Sequence, residues 1–203
     1  MTRAELNREI IRPTVVLFLC GFIITAILAW VYQITNPIIQ ASAAQERTAS
    51  LRKVLPAADA FGEVRTPGSL AAEGYTVPGT VSAVYAGTAG GKPVGYAIVV
   101  DPKGYGGKIN LIVGIGVDGA IGAVTLVMQN ETPGLGSRAS EPAFLGQYAG
   151  LSATDGLQVV KKASDRKGDI QAMTGATVTS RAVTRGMTDA LQMAGELLEK
   201  EAR

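Results

Sequence analysis

The chain has 203 residues, enough for one soluble domain and a short appendage. Its formal net charge of +2 leaves no electrostatic footprint for nucleic acid, while 47% hydrophobic residues and a mean hydropathy of +0.22 are high for a wholly soluble protein. With no histidine and one cysteine, Cys20, it cannot build a Cys/His zinc site, a thiolate-held iron–sulfur cluster, a His-ligated haem, a Ser-His-Asp or Cys-His catalytic set, or an internal disulfide, so redox chemistry here requires an organic cofactor.

Residues 1–13 carry Arg3, Arg8 and Arg12 and are polar enough to stay in water. Residues 14–35 contain no charged side chain. A helix of about 20 residues, rising roughly 1.5 Å each, spans the roughly 30 Å hydrocarbon core of a bilayer. Trp30 and Tyr32 fall at its far end, where an aromatic belt lies, and Asn36-Pro37 predicts the end of the helix. The three arginines flank the span on one side, and the first basic residue beyond it is Arg47. The positive-inside rule therefore puts the N-terminus in the cytoplasm and everything after Asn36 outside. Ala41-Ser42-Ala43 resembles a signal-peptidase site, but the apolar run exceeds the usual h-region and the site lies well past its end. Cys20 follows Phe18 and Leu19 instead of small residues, so a lipoprotein reading fails too, and the segment is expected to be an uncleaved anchor.

Residues 36–78 read as a linker that contains a short helix at 40–55, with Ala44, Leu51, Val54 and Leu55 inward and Pro56 ending it; residues 57–78 carry no clear pattern. From Gly79 the signal changes to β. Residues 80–85, 94–100, 109–115 and 120–127 are β-branched runs separated by turn residues, and Asp118-Gly119 is a hairpin signal. An antiparallel, twisted sheet is expected. Gly114-Ile115-Gly116-Val117-Asp118-Gly119 matches a dinucleotide-binding pattern, but that reading requires a helix to follow, and a β-branched run follows instead.

Beyond the sheet come the loop Glu131-Thr132-Pro133-Gly134-Leu135-Gly136, a short helix around 141–148 with Pro142 in its first turn, a candidate strand at 157–161 and a charged, solvated turn at 161–169. The chain then presents Thr174-Gly175-Ala176-Thr177-Val178-Thr179-Ser180 directly before a helical apolar pattern of Val183, Met187, Ala190, Leu191, Ala194, Leu197 and Leu198. Thr179 or Ser180 suits the N-cap. By itself this cluster reads as a capped helix start. The free N–H groups and positive dipole end of the helix also favour an anion such as a phosphate. The elements together define an α+β fold, with a single transmembrane helix followed by a mostly antiparallel sheet flanked by helices and a long amphipathic helix at the end.

Thr174-Gly175-Ala176-Thr177 resembles the (Ser/Thr)-Gly-Ala-Thr motif of the membrane FMN-binding domain family, and Glu131–Gly136 resembles that family's Glu-Thr-Pro-Gly-Leu-Gly loop. The segment Gly104-Tyr105-Gly106-Gly107-Lys108-Ile109 also fits, and with the anchor the resemblance covers essentially the whole chain. Within the family the chain is most similar to the G subunits of Rnf electron-transport complexes. The C subunits of the sodium-pumping NADH:quinone oxidoreductase are related and usually longer.

The resemblance implies an FMN-binding domain over residues 79–203. It implies FMN held covalently as a phosphoester on Thr177, installed by a separate flavin transferase, with Thr174, Gly175 and Ala176 completing the motif. No histidine is present to activate the Thr177 alcohol, in keeping with an external enzyme. The loop would pack near the flavin ring, with Leu135 as an apolar contact and Thr132 and backbone N–H groups, including those near Gly134 and Gly136, at the ring edge. Glu131 would either join them or cap neighbouring amides. Tyr105 is a further candidate contact. Arg181 and Arg185 would balance phosphate charge or form a solvated face. The family commonly has Asp six residues before the modified Thr, where this chain has Gln171, with Asp169 two residues further upstream. The expected function is electron relay in a membrane complex linking ferredoxin and NAD to ion translocation. Its expected partners are the other membrane subunits of the complex, the flavin transferase and membrane lipid. A quinone-reductase C subunit and a non-redox anchored module are the alternatives.

Overall fold

Four runs of β-branched residues dominate the middle of the chain, and the computed structural model folds them into an antiparallel meander. The structure describes residues 12–162 and 164–201, with the backbone alone at 12, 13 and 37–46. The N-terminal arginines at 3 and 8 and the inward placement of Ala44 lie outside what is described. The chain divides into two units, residues 1–47 and 48–203.

Helix α1 (Arg12–Val54) contains the apolar stretch Thr14–Asn36, whose mean hydropathy is 2.6 and none of which is buried. Its large side chains, Phe18, Phe22, Leu28 and Trp30 among them, face outward on all sides, as lipid solvation requires. The expected break at Asn36-Pro37 does not interrupt the helix. A proline removes one N–H bond to the preceding turn, a loss this helix carries without a break.

In the second unit, β1 (Ala60–Phe61), β2 (Val81–Ala89), β3 (Lys92–Val100), β4 (Asn110–Gly116) and β5 (Ile121–Met128) form a five-stranded sheet in sequential order, every neighbouring pair antiparallel. Residues of alternating parity point to opposite faces, so one β4 register sends Leu111, Val113 and Ile115 to one side and Ile112 to the other. The first side packs against the long helix α4 (Thr177–Glu201), numbered after α2 (Pro67–Ala72) and α3 (Pro142–Leu145). Val183, Met187, Ala190, Leu191, Ala194 and Leu197 are buried on it, and Leu198 is partly buried against the same cluster, as their spacing predicts. Short strands β6 (Gln158–Val160) and β7 (Asp169–Gln171) pair in parallel, and Ile170, next to the stretch expected to be a solvated turn, is buried.

The other sheet face is covered by the end of α1. Leu51, Val54, Leu55 and Ala58 pack with Tyr85, Ala97 and Ile112. Residues 48–78 thus belong to the same compact unit as the sheet and α4. Gly114, one of the glycines in the dinucleotide-like pattern, lies in β4 under this helix end. A Cβ there would lie 1.9 Å from the Val54 carbonyl oxygen. That glycine serves close packing of helix on sheet. Gly114→Ala is expected to cost about 1–3 kcal/mol by overpacking and to lower Tm by several degrees, measured by near-UV circular dichroism of the full chain in detergent. An unchanged Tm would contradict this account.

Candidate functional site

One end of the sheet gathers the site. The β3–β4 loop (101–109) and the segment leaving β5 (129–136) emerge at this end, where Asn110 pairs with Met128. The head of α4 crosses it: Gly186 has no side chain because a Cβ there would sit 3.0 Å from Pro102 Cγ and 3.1 Å from Val100 Cγ2. Three segments distant in sequence therefore meet around one cleft of about 500 Å³, lined by Tyr105, Glu131, Thr132, Leu135, Gly136 and Gly175 through Thr179.

Glu131 joins the three. Its carboxylate is buried, with one oxygen accepting the Gly106 N–H at 2.9 Å and the other accepting the Thr179 hydroxyl at 2.6 Å. Its own N–H donates to Gln129 Oε1 at 2.6 Å. Glycines at 104 and 136 leave the space this carboxylate occupies: a Cβ on Gly104 would lie 2.3 Å from Oε1 and one on Gly136 2.4 Å from Oε2. So Glu131 ties loop to loop to helix, its carboxylate held by an amide 25 residues away in sequence and a hydroxyl 48 residues away. Thr132 and Pro133 are exposed. The turn they open is closed by Leu135 N–H donating to the Thr132 carbonyl at 3.1 Å, with Gly134 in the left-handed region at φ 75°.

The hydroxyl cluster is sorted by hydrogen bonding. Helix α4 begins at Thr177, so neither Thr179 nor Ser180 is its N-cap; both sit inside the first turn. Three neighbouring hydroxyls each suit a cap, and sequence alone does not rank them. Thr179 is committed to Glu131. Ser180 is buried, accepting the Met173 N–H at 3.0 Å and donating to the Ala176 carbonyl at 2.9 Å. Thr177 is half-buried, faces the cleft, and its hydroxyl has no partner among the described residues. The amides of Thr177, Val178 and Thr179 likewise have no acceptor there, the usual state of a helix's first turn. Gly175 adopts φ 78°, turning the chain into the helix, and a Cβ on it would sit 3.0 Å from Leu135 Cδ2.

Pro133 and two of the expected contact residues do not line this cleft. Gly134 is exposed at the turn, and Thr174 faces a separate hollow with Gln147, Gln171 and Met173. Gln171 is tied to Gln147, its backbone N–H donating to Oε1 at 2.7 Å. Asp169 does not take its place, because its carboxylate accepts from Ser164, Gln158 and Arg166. Val178, 52% exposed on the cleft wall, is a contact that sequence reasoning did not single out; an exposed valine just ahead of the buried stripe was the available signal. Arg181 and Arg185 are exposed.

The Ser164 hydroxyl first, then Gln158 and Arg166, hold the Asp169 carboxyl below the ordinary range, and the Ser152 backbone N–H and Lys167 do the same for Asp155. A depressed carboxyl contributes stability above its unfolded value, about 3.9, and loses it as pH falls through the folded value. The β6–β7 pair that leads into Met173 should therefore be firm at neutral pH and loosen in acid. Asp169→Asn is expected to bring that loosening to neutral pH, read as faster amide exchange at Gln158 and Ala172. Exchange unchanged by the substitution would contradict it.

A membrane helix followed by an α+β domain with a ring-sized cleft at a helix N-terminus defines an anchored cofactor-carrying protein. Residues 104–192 match the FMN-binding domain family and residues 1–54 the RnfG N-terminal region. The chain is 38% identical over 179 residues to the G subunit of the proton-translocating ferredoxin:NAD(+) oxidoreductase complex of Clostridium ljungdahlii, covering 88% of this chain and 86% of that one. It is 36% identical over 181 residues to the G subunit of the Na(+)-translocating ferredoxin:NAD(+) oxidoreductase complex of Acetobacterium woodii, covering 85% and 87%. The crystal structure of Shewanella oneidensis NqrC shares the fold, with TM-score 0.50 and 22% identity over 74% of each chain. The chain belongs to the family of G subunits of Rnf ion-translocating oxidoreductase complexes, and it is a membrane-anchored member carrying an FMN-binding domain.

The residues fit FMN. The cleft falls within the roughly 300–1,000 Å³ of small-molecule sites. Apolar Leu135, Val178 and Tyr105 stand on its walls, and unpaired amides and a free hydroxyl stand at the helix end, where a phosphate is favoured.

Proposed function

We propose that this chain is the FMN-carrying relay of an Rnf-type complex, with the phosphoryl group of FMN esterified to Thr177. The observation that carries the covalent assignment is the Thr177 hydroxyl: of the hydroxyls at the head of α4 that line the cleft, it alone is left unbonded by the fold. Leu135, Val178 and Tyr105 would flank the ring, the first-turn amides would receive the phosphate, and Glu131 would act behind the site by fixing its walls. Thr174 would serve the motif from outside the cleft. Bound FMN would supply electron transfer, and the chain would supply position and a water-poor wall.

We place the N-terminus in the cytoplasm and the FMN domain on the outer side of the inner membrane, on the strength of Arg3, Arg8 and Arg12. The other membrane subunits would exchange electrons with the domain between ferredoxin and NAD, with ion translocation a property of the assembled complex. A flavin transferase would form the phosphoester, because the chain has no histidine to take the Thr177 proton.

Flavin fluorescence of the denatured chain tests the reading. Coexpressed with flavin transferase, the wild-type band should fluoresce in a denaturing gel and the Thr177→Ala band should be dark. A dark wild-type band would leave the hydroxyls as a plain helix start, and Gln171→Asp would then be the variant to test for restored attachment.

A further inference from the structure

We infer that the mouth of the cleft is an electrostatic docking surface for the acidic face of a partner protein that exchanges electrons with the site; the electron-exchange part rests on the FMN reading above. Lys103 and Lys108 are paired across the backbone bridge at the neck of the loop that carries Tyr105, and both are exposed. Arg181 lies one helical turn beyond Thr177 and Arg185 one turn further, both exposed, and the packing of Gly186 on Pro102 sets this part of α4 beside the base of that loop. None of the four makes an ion pair among the described residues, whose pairs involve Arg65, Arg138, Arg166 and Lys167.

The segments 102–110, 129–137 and 174–188 that line or flank the cleft contain one carboxylate, Glu131, and it is buried with both oxygens bonded internally. In a chain whose whole net charge is +2, four exposed cations on two segments that flank one cleft are a local concentration, and the carboxylates at the ends of those segments, Asp101 and Asp189, accept from Asn110 and Thr80. Exposed apolar groups stand among them, Tyr105 at 76%, Leu135 at 43% and Val178 at 52%. Cations around an apolar centre are the pattern of a steered protein contact, in which charge raises the encounter rate and apolar area holds the complex. The cations lie on the two segments that carry Tyr105 and Thr177 to the cleft, and a cleft suits a protruding acidic partner better than a planar lipid surface.

The test uses the full chain in nanodiscs of neutral lipid, with fluorescein-labelled poly-L-glutamate as the probe, followed by anisotropy. Binding to wild type should weaken roughly tenfold between low salt and about 0.3 M, as screening with a Debye length of about 10 Å or less requires. The quadruple variant Lys103→Gln, Lys108→Gln, Arg181→Gln, Arg185→Gln should bind roughly tenfold more weakly. A control replacing the exposed lysines at 92, 161 and 162 should match wild type within about twofold. No wild-type binding, or equal losses in both variants, would overturn the inference. Loss of wild-type probe binding in anionic-lipid nanodiscs would assign the rim to the bilayer surface and overturn it also.

In flavin-loaded, reduced protein, the ratio of the one-electron oxidation rate by anionic ferricyanide to that by cationic hexaammineruthenium(III) should fall several-fold from wild type to the quadruple variant. Oxidation rates that do not respond to the four substitutions would overturn the electron-exchange part. Rim-dependent probe binding by a protein that never acquires flavin would sink the FMN reading while leaving the docking surface standing.

Discussion

Thr177→Ala is expected to abolish flavin attachment outright, while Thr179→Val and Ser180→Ala keep a fluorescent band and Thr177→Ser keeps a weaker one. The order follows from what each oxygen does in the fold. The Ser180 oxygen is occupied twice, by the Met173 N–H and the Ala176 carbonyl, and is fully buried. The Thr179 hydroxyl points back to Glu131 at 2.6 Å, away from any incoming group. Thr174 is exposed but faces the hollow beside Gln147. Only Thr177 combines a free hydroxyl with a place on the cleft wall at the head of α4. Thr177→Ser preserves the oxygen but not the β-branch that restricts χ1, so the hydroxyl spends less time in the reactive direction. Thr179→Val removes a hydrogen bond to a buried carboxylate, a loss of about 1.5–3 kcal/mol that should appear as lower stability, with the band still bright. Fluorescence surviving in Thr177→Ala, or lost equally in all four variants, would contradict the assignment.

How far the sequence announced this site depends on the range of the interactions involved. The sheet was legible because each long strand carries its own β-branched signal, and α4 because its apolar residues recur along the whole of Thr177–Glu201. Strand β1, with Ala60 and Phe61 alone, is too short to have a period, so residues 57–78 read as featureless. The same stretch held one usable local signal: Thr66 and Ser69 form a capping box around Pro67 at the start of α2. Ile170 was hidden by its charged neighbours, because a three-residue strand buries one side chain and leaves the rest polar. Both FMN-family motifs were visible as strings. Their convergence on Glu131, and the loss of Thr179 and Ser180 as free hydroxyls, depend on contacts between Gly106, Glu131 and Thr179 that no local pattern encodes.

Gly106→Ala is expected to loosen the cleft while leaving the flavin attached. A Cβ on Gly106 would lie 2.0 Å from the Asn130 carbonyl oxygen and 2.9 Å from its carbon, both backbone atoms of the segment that precedes the Glu131 loop. Neither wall can yield by rotating a side chain. The Asn130 backbone runs straight into buried Glu131, and the loop bearing Gly106 is pinned at its neck by Ile109 N–H donating to the Pro102 carbonyl at 2.9 Å. Overpacking of this kind costs about 1–3 kcal/mol, and the cheapest relief is to swing the loop tip outward. That movement breaks the Gly106 N–H bond to Glu131 and carries Tyr105 off the wall, while Thr177 and the first turn of α4 stay in place through Ser180 and Thr179. A variant so altered should still give a fluorescent band in a denaturing gel. In the native state its flavin should be quenched by iodide several-fold more readily than in wild type, with a weaker visible circular dichroism signal. Equal quenching in the two proteins would mean that the Gly104–Gly107 loop does not form a wall of the flavin site, and a dark gel band would mean that the loop is needed for attachment itself.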